Sequence, residues 1–183
     1  MHMSAFYTGR GDGGVSHVGR KKIKKTCLEI VAVGDLDELN CLIGLAKHHL
    51  GDKKMKTLFE SIQQDLFIIS AHVAACMFEK GYKPPAFLGE KVVRLEEVIN
   101  MLEKKIPPLT KFVIPGSTEE SAWCDCARTL TRRAERSILH HNDEHQLDNE
   151  VLRYMNRLST LFFVVGRRLA KKIRKKESNP TYH

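Results

Sequence analysis

In the stretch A-R-T-L-T-R-R-A-E-R, Ala127 to Arg136, the side chains of Arg128, Arg132, Glu135 and Arg136 fall on one side of a helix at about 100° per residue. Guanidiniums donate in planar forks that match phosphate and carboxylate. The face therefore reads in two ways: an anion-binding surface, or a solvated basic face with Glu135 as an intrahelical partner. A second element suited to anions lies near the start of the chain, T-G-R-G-D-G-G from Thr8 to Gly14. Glycines let backbone N–H groups approach a polyphosphate and form an anion nest. The loop is not a G-x-x-x-x-G-K-[ST] phosphate loop, and it does not follow a strand and open a helix as a dinucleotide fingerprint would. A flexible terminus is the alternative reading.

Two polar residues interrupt apolar helical patterns. Asp37, in V-G-D-L-D-E-L-N, reads as compensation of a helix-start dipole. Asn156, in Y-M-N-R-L-S, is either exposed or bonded to a ligand hydroxyl or amide. His140, His141 and His145 read as exposed loop histidines, since no carboxylate pair completes a metal set. Cys124 and Cys126 form C-x-C with no second pair nearby, so no zinc site is expected from them.

These groups need elements to hold them. Five glycines between 9 and 19 deny residues 5–25 a stable helix. Five amphipathic segments follow. The first carries Leu36, Leu39, Ile43, Ala46 and Leu50; Asp35 and Glu38 have capping-box spacing, although the helix can begin nearer Leu28. The second starts after Asp52 and carries Leu58, Ile62, Leu66, Ile69, Val73 and Met77, ending at Gly81 and Pro84-Pro85. The third holds Val92, Leu95, Ile99 and Leu102 and stops at Pro107-Pro108. A non-helical link, Lys111 to Gly116, leads to a fourth that begins at Ser117, with Glu120 at capping-box spacing. The fifth begins near Asp148 and shows Val151, Met155, Leu158, Phe162, Val165 and Leu169. No convincing period-2 strand is visible. The expected fold is all-α: a five-helix up-and-down bundle with short connections and a glycine-rich N-terminal loop. Residues 1–25 form the loop, 26–175 the bundle and 176–183 a flexible tail in solvent.

The 183 residues suit one domain, and 42% hydrophobic with 28% charged is the composition of a soluble globular chain. No run is long and apolar enough for a membrane span. Residues 1–10 lack the apolar core of a signal peptide, so a cytoplasmic location is expected. Net charge is +8, which favours anionic partners without choosing among nucleotide, nucleic acid and anionic lipid. Nucleic acid is disfavoured because aromatics are not interleaved with the basic residues and no recognised motif is present. Five cysteines make an odd, sparse set, read as mostly buried thiols in a reducing compartment.

The order Y-T-x-x-G-D-x-G, V-G-x-x-D-E-L-N, F-V-I-P-G-S, A-R-T-x-x-R-R-A-E-R and Y-M-N-R-L-S resembles PduO-type ATP:cob(I)alamin adenosyltransferases, from Tyr7 to about Arg168. The resemblance implies a homotrimeric five-helix bundle with sites between subunits. It implies attack of cob(I)alamin on the ribose C5′ of ATP, with Mg²⁺ accompanying the triphosphate. A reductase and a cobalamin-dependent acceptor enzyme are the implied further partners. By position, Thr8, Gly9, Arg10, Gly11, Ser16 and His17 fall in the nucleotide-binding loop. The lysine that follows is Lys25 counting back from Asp37, and Lys24 counting forward from the loop; Lys25 is preferred. Arg132, Arg133, Glu135 and Arg136 match the nucleotide-binding stretch, and Asn156 the asparagine beside the ribose or phosphates. Asp37 and Arg128 match an intersubunit ion pair, and Phe112 the aromatic residue that displaces the lower axial cobalt ligand. The chain departs from the family pattern at Gly9 and Arg10, where Lys and Thr are usual, at Ser117 in place of Gly, and at Thr160 in place of Asp. A bundle that binds ATP or cobalamin without turnover, or binds nucleic acid, is the alternative.

Overall fold

A computed structural model describes residues 7–18, 21–172 and 177–182. Helix α1, Leu28–His49, buries Ala32, Leu36, Leu39, Ile43 and Ala46 as one stripe. Helix α2, Lys53–Ala74, starts where the Asp52 carboxylate accepts from the N–H groups of Lys54 and Met55, and it buries Phe59, Ile62, Leu66, Ile69 and Val73. Each such fully buried side chain contributes about 1.5–3 kcal/mol of transfer free energy. A 3-10 turn, Ala75–Met77, ends the helix. Helices α3, Glu90–Glu103, α4, Glu119–Asn142, and α5, Asn149–Lys172, complete the bundle.

α1 packs between α2 and α4, α4 between α1 and α5, and α3 against α5. Phe59 meets Phe162 edge-on at 5.4 Å between centroids, joining α2 to α5. Asp65, 1% exposed, sits in the same interior. Its carboxylate accepts from Lys91 at 2.6 Å, from the Tyr154 hydroxyl at 2.8 Å and from Arg94. Burial and then the Asp65 charge push the Tyr154 phenol well above its usual range, so it stays a donor.

The all-α expectation holds with one addition. Val15–Val18 (β1) and Lys21–Lys24 (β2) pair antiparallel, with Val15 opposite Lys24 and Ser16 opposite Ile23. Four-residue strands carry too little alternation to show in the sequence. The connections are not uniformly short: residues 104–118 separate α3 from α4. The cap of α4 is Thr118 with Ser121, one residue past the expected Ser117 and Glu120. Because α1 begins at Leu28, Asp35, Asp37 and Glu38 lie inside the helix, and neither a cap nor a helix-start dipole explains them. Of the five cysteines only Cys124 is buried; Cys41 and Cys126 are exposed, which corrects the expectation of mostly buried thiols.

Candidate active site

The glycine loop is built by short turns. The Asp12 N–H donates to the Gly9 carbonyl and the Gly14 N–H to that of Gly11. Gly9 and Gly14 hold positive φ of 67° and 75°, a region that side chains disfavour. The N–H groups of Gly9, Gly11 and Gly13 keep no backbone partner among the described residues. The Arg10 N–H donates to the Thr8 hydroxyl at 3.4 Å. Of the two lysines weighed from the sequence, Lys25 is the one over the loop: its Nζ would lie 3.2 Å from a Cβ on Gly11. Lys24 is committed to the hairpin opposite Val15. Ser16 and His17 lie on β1, opposite Ile23 and Lys22.

Helix α4 sorts its arginines by task. Arg132 and Arg136 are exposed. The Arg136 guanidinium donates to the Arg132 carbonyl at 3.0 Å, while the Arg132 guanidinium has no partner among the described residues. Arg133 instead pairs with Asp35 at 3.2 Å and with Glu38. Asp35 also accepts from the Ser137 hydroxyl. The two acids that looked like a cap therefore brace α1 against α4. Glu135 accepts from the Asn156 amide at 3.1 Å, and Asn156 accepts from Arg157 at 2.7 Å. Asn156 is thereby fixed at the exposed edge between α4 and α5.

Phe112 is 78% exposed, so it does not plug the end of the bundle. It lines a cleft of about 540 Å³ with Leu109, Val113, Arg128 and Phe163. The link that carries it is tied down. The Asn179 amide donates to the Phe112 carbonyl at 2.7 Å, and the Ile114 N–H to the Ser178 carbonyl at 2.8 Å. The Gly116 N–H donates to Asp125 at 3.1 Å. Behind it Arg167, 1% exposed, pairs with Asp125 at 2.7 Å and Glu177 at 3.0 Å. Residues 177–179 are therefore docked on the link, where a tail frayed into solvent was expected.

Asp37 is exposed and has no partner among the described residues. Arg128 reaches Asp125 only at 3.8 Å, and its buried Nε finds no hydrogen bond. No ion pair within the chain joins Asp37 to Arg128 among the described residues. The structure thus groups Phe112 with Arg128, Glu135 with Asn156, and Lys25 with Gly11. Sequence reading missed the strap of Asp125, Arg167 and Glu177; the one signal for it was Arg167 falling on the buried stripe of α5. It also misjudged the histidines. His140 is exposed, but His141 is 1% exposed and His145 pairs with Glu29 at 3.3 Å. Burial, then the neighbouring His145, lowers the His141 pKa.

Fold and site together define a class: a helical bundle with a glycine loop, an arginine-bearing helix, and an exposed aromatic ring on a separate strapped link. Residues 6–169 match the family described as cobalamin adenosyltransferase. The chain is 34% identical to the corrinoid adenosyltransferase PduO of Salmonella typhimurium over 89% of its own length, but spans about half of that relative, 49%. It is 35% identical to the corrinoid adenosyltransferase of Mycobacterium tuberculosis, covering 91% of this chain and 89% of that one. A phenylalanine-to-histidine variant of the PduO-type ATP:corrinoid adenosyltransferase from Lactobacillus reuteri, solved complexed with cobalamin and ATP, superposes with a TM-score of 0.89 at 29% identity over 97% of both chains. An arginine-to-lysine variant of that enzyme, complexed with ATP, gives 0.86 at 30% identity over 96% of this chain and 99% of that one. The chain belongs to the cobalamin adenosyltransferase family.

Proposed function

We propose that the chain transfers the 5′-deoxyadenosyl group of ATP to cob(I)alamin, giving adenosylcobalamin and triphosphate. The observation that carries the reading is Phe112, an aromatic ring left 78% exposed on a link tied at three points beside Arg128. A ring held out of the core at this cost in apolar exposure needs an apolar face to meet, and the corrin supplies one.

The cobalt lone pair forms the bond to C5′ as the bond from C5′ to the phosphate oxygen breaks, and the electron pair leaves on the triphosphate. The nucleophile needs no protein base. The protein orients C5′ and stabilises charge growing on the leaving group. The N–H groups of Gly9, Gly11 and Gly13, together with Lys25 and the free Arg132, are the donors suited to it; Arg10 supplies charge where the family has lysine nearby. Thr8, Ser16, His17 and Arg136 line the same nucleotide surface, and Glu135 positions Asn156 for the ribose or phosphate side. Arg133, already held by Asp35 and Glu38, braces the helix. Magnesium enters with the triphosphate as part of the nucleotide substrate, since such hard cations keep water and phosphate oxygens as ligands. Phe112 displaces the lower axial ligand, which makes reduction of Co(II) easier.

The unpaired Asp37 and the loosely held Arg128 support assembly as a homotrimer in which the two meet across subunits. Exposed Val31, Leu45 and Leu139 on α1 and α4 add apolar area for such contacts. A reductase and a cobalamin-dependent acceptor enzyme are the further partners, in the cytoplasm; among the described residues no helix is long and apolar enough to cross a membrane. The test is incubation with ATP, Mg²⁺ and chemically reduced cobalamin. The absorbance of adenosylcobalamin should grow in step with free triphosphate; binding of both substrates with no spectral change would leave only a non-catalytic carrier.

A further inference from the structure

At the foot of the hairpin, three elements converge on side chains that adenosyl transfer leaves without a task. Glu29 comes from the first turn of α1, Cys76 from the 3-10 turn after α2, and His145 from the link between α4 and α5. Their ligand atoms all lie within 4.8 Å of one another. Glu29 Oε1 is 3.3 Å from His145 Nε2 and 4.0 Å from Cys76 Sγ. Zinc bonds of about 2.0–2.2 Å to nitrogen or oxygen and about 2.3 Å to sulfur set tetrahedral ligand edges near 3.3–3.6 Å. The Glu29–His145 edge already has that length, and a rotation of the Cys76 side chain is needed to close the longer edges at sulfur.

The company of Glu29 is unusual. Its side chain is 17% exposed. In a chain with 30 lysines and arginines it pairs with none of them among the described residues. Its neighbours are the Cys27 and Cys76 thiols and the His145 ring. Thiolate, imidazole and carboxylate together form a donor set for a borderline-soft ion. A neighbouring ring is also short of a partner. The buried His141 ring lies 5.2 Å from that of His145 and keeps Nδ1 without a hydrogen bond among the described residues. An orphaned buried polar atom calls for a water, ion or ligand.

We propose that Glu29, Cys76 and His145 bind one divalent ion of the zinc class, with water as the fourth ligand. Binding forms the metal–sulfur bond as the Cys76 thiol proton passes to solvent; no electron changes hands. The ion joins α1, the exit of α2 and the α4–α5 link. It also fixes the point where the hairpin docks, because Lys21 Nζ of β2 donates to the Cys76 carbonyl at 3.3 Å and to that of Phe78 at 2.9 Å. The inference does not rest on the adenosyltransferase reading.

Co²⁺ titration of the full chain, carrying Cys41→Ser and Cys126→Ser to remove the exposed thiols, tests it without any activity assay. One equivalent should give the visible d–d bands of tetrahedral cobalt with a thiolate charge-transfer band, and Zn²⁺ should bleach both. Cys76→Ser and His145→Gln, each confirmed folded by circular dichroism, should weaken Zn²⁺ binding by more than the roughly 100-fold typical of losing a supporting partner. Zn²⁺ should raise the melting temperature of the parent and not of either variant. Octahedral cobalt spectra, or bands that survive Cys76→Ser, would overturn the proposal.

Discussion

Phe112 and Arg132 are the side chains on which the chemistry is most directly testable, because neither is used by the fold. Phe112→Ala should change stability by about 0.5 kcal/mol or less, as surface substitutions do. Turnover starting from cob(II)alamin with a mild reductant should collapse, and turnover from preformed cob(I)alamin should fall much less. Equal losses in the two assays would remove the axial-ligand role. Arg132→Ala should leave the melting temperature alone and cost ATP turnover about 1.5–3 kcal/mol, the worth of a hydrogen bond to a charged group. Kinetics within twofold of the parent would mean that Arg132 touches no phosphate. The arginine face was legible from helical spacing alone, but the role expected of Phe112 came only from the family resemblance, because an apolar residue in K-F-V-I-P-G carries no chemical signal of its own. Arg133 was not separable from Arg132 by sequence, because its partners, Asp35 and Glu38, lie 98 and 95 positions away.

Helices were legible because each carries a buried stripe with the helical period. The hairpin and the strap were not, since four-residue strands and ties between residues 112–116 and 177–179 leave no periodic trace. Gly34, inside α1, is the element-scale oddity: a Cβ there meets nothing within 4 Å. Glycine in a helix interior is destabilising by roughly 0.5–1 kcal/mol relative to alanine, so open space needs a reason, and the proposed trimer offers one in the approach of another subunit. Gly34→Leu should raise or preserve the melting temperature of the isolated chain while shifting its mass downwards in light scattering; unchanged mass would place α1 outside the interface. In α4, burial pushes the Cys124 thiol up to about 12. Thiolate is the reactive form, so alkylation of the folded chain at neutral pH should label Cys41 and Cys126 and spare Cys124, as peptide mapping would show.

For the whole molecule, the proposed trimer puts the decisive contacts outside a single chain. Asp37 has no partner among the described residues and Arg128 reaches Asp125 only at 3.8 Å; the proposed trimer gives each the other as a partner. Asp37→Asn and Arg128→Ala should be non-additive in assembly and in kcat, the double variant losing little beyond the worse single. Strict additivity would show that the side chains never meet. Inside the chain, Arg167→Ala should cost about 3–5 kcal/mol, because it leaves Asp125 buried beside a missing charge. Thermal unfolding would read that loss directly.

The strapped link also bears on which changes of length the protein tolerates. Its ties fall on alternate residues, Phe112, Ile114 and Gly116, and the last holds a φ of 86°. All three use backbone groups of the link, so exposed side chains such as Lys111 can vary without loosening a tie, while Val113 lines the cleft beside Phe112. An inserted or deleted residue is different, because it puts the ties on its two sides out of step and so disturbs the seat of the aromatic ring. Homologous links should therefore drift in spelling while holding their count. A single glycine inserted after Val113 should damage turnover from cob(II)alamin more than replacement of the exposed Lys111 side chain by alanine.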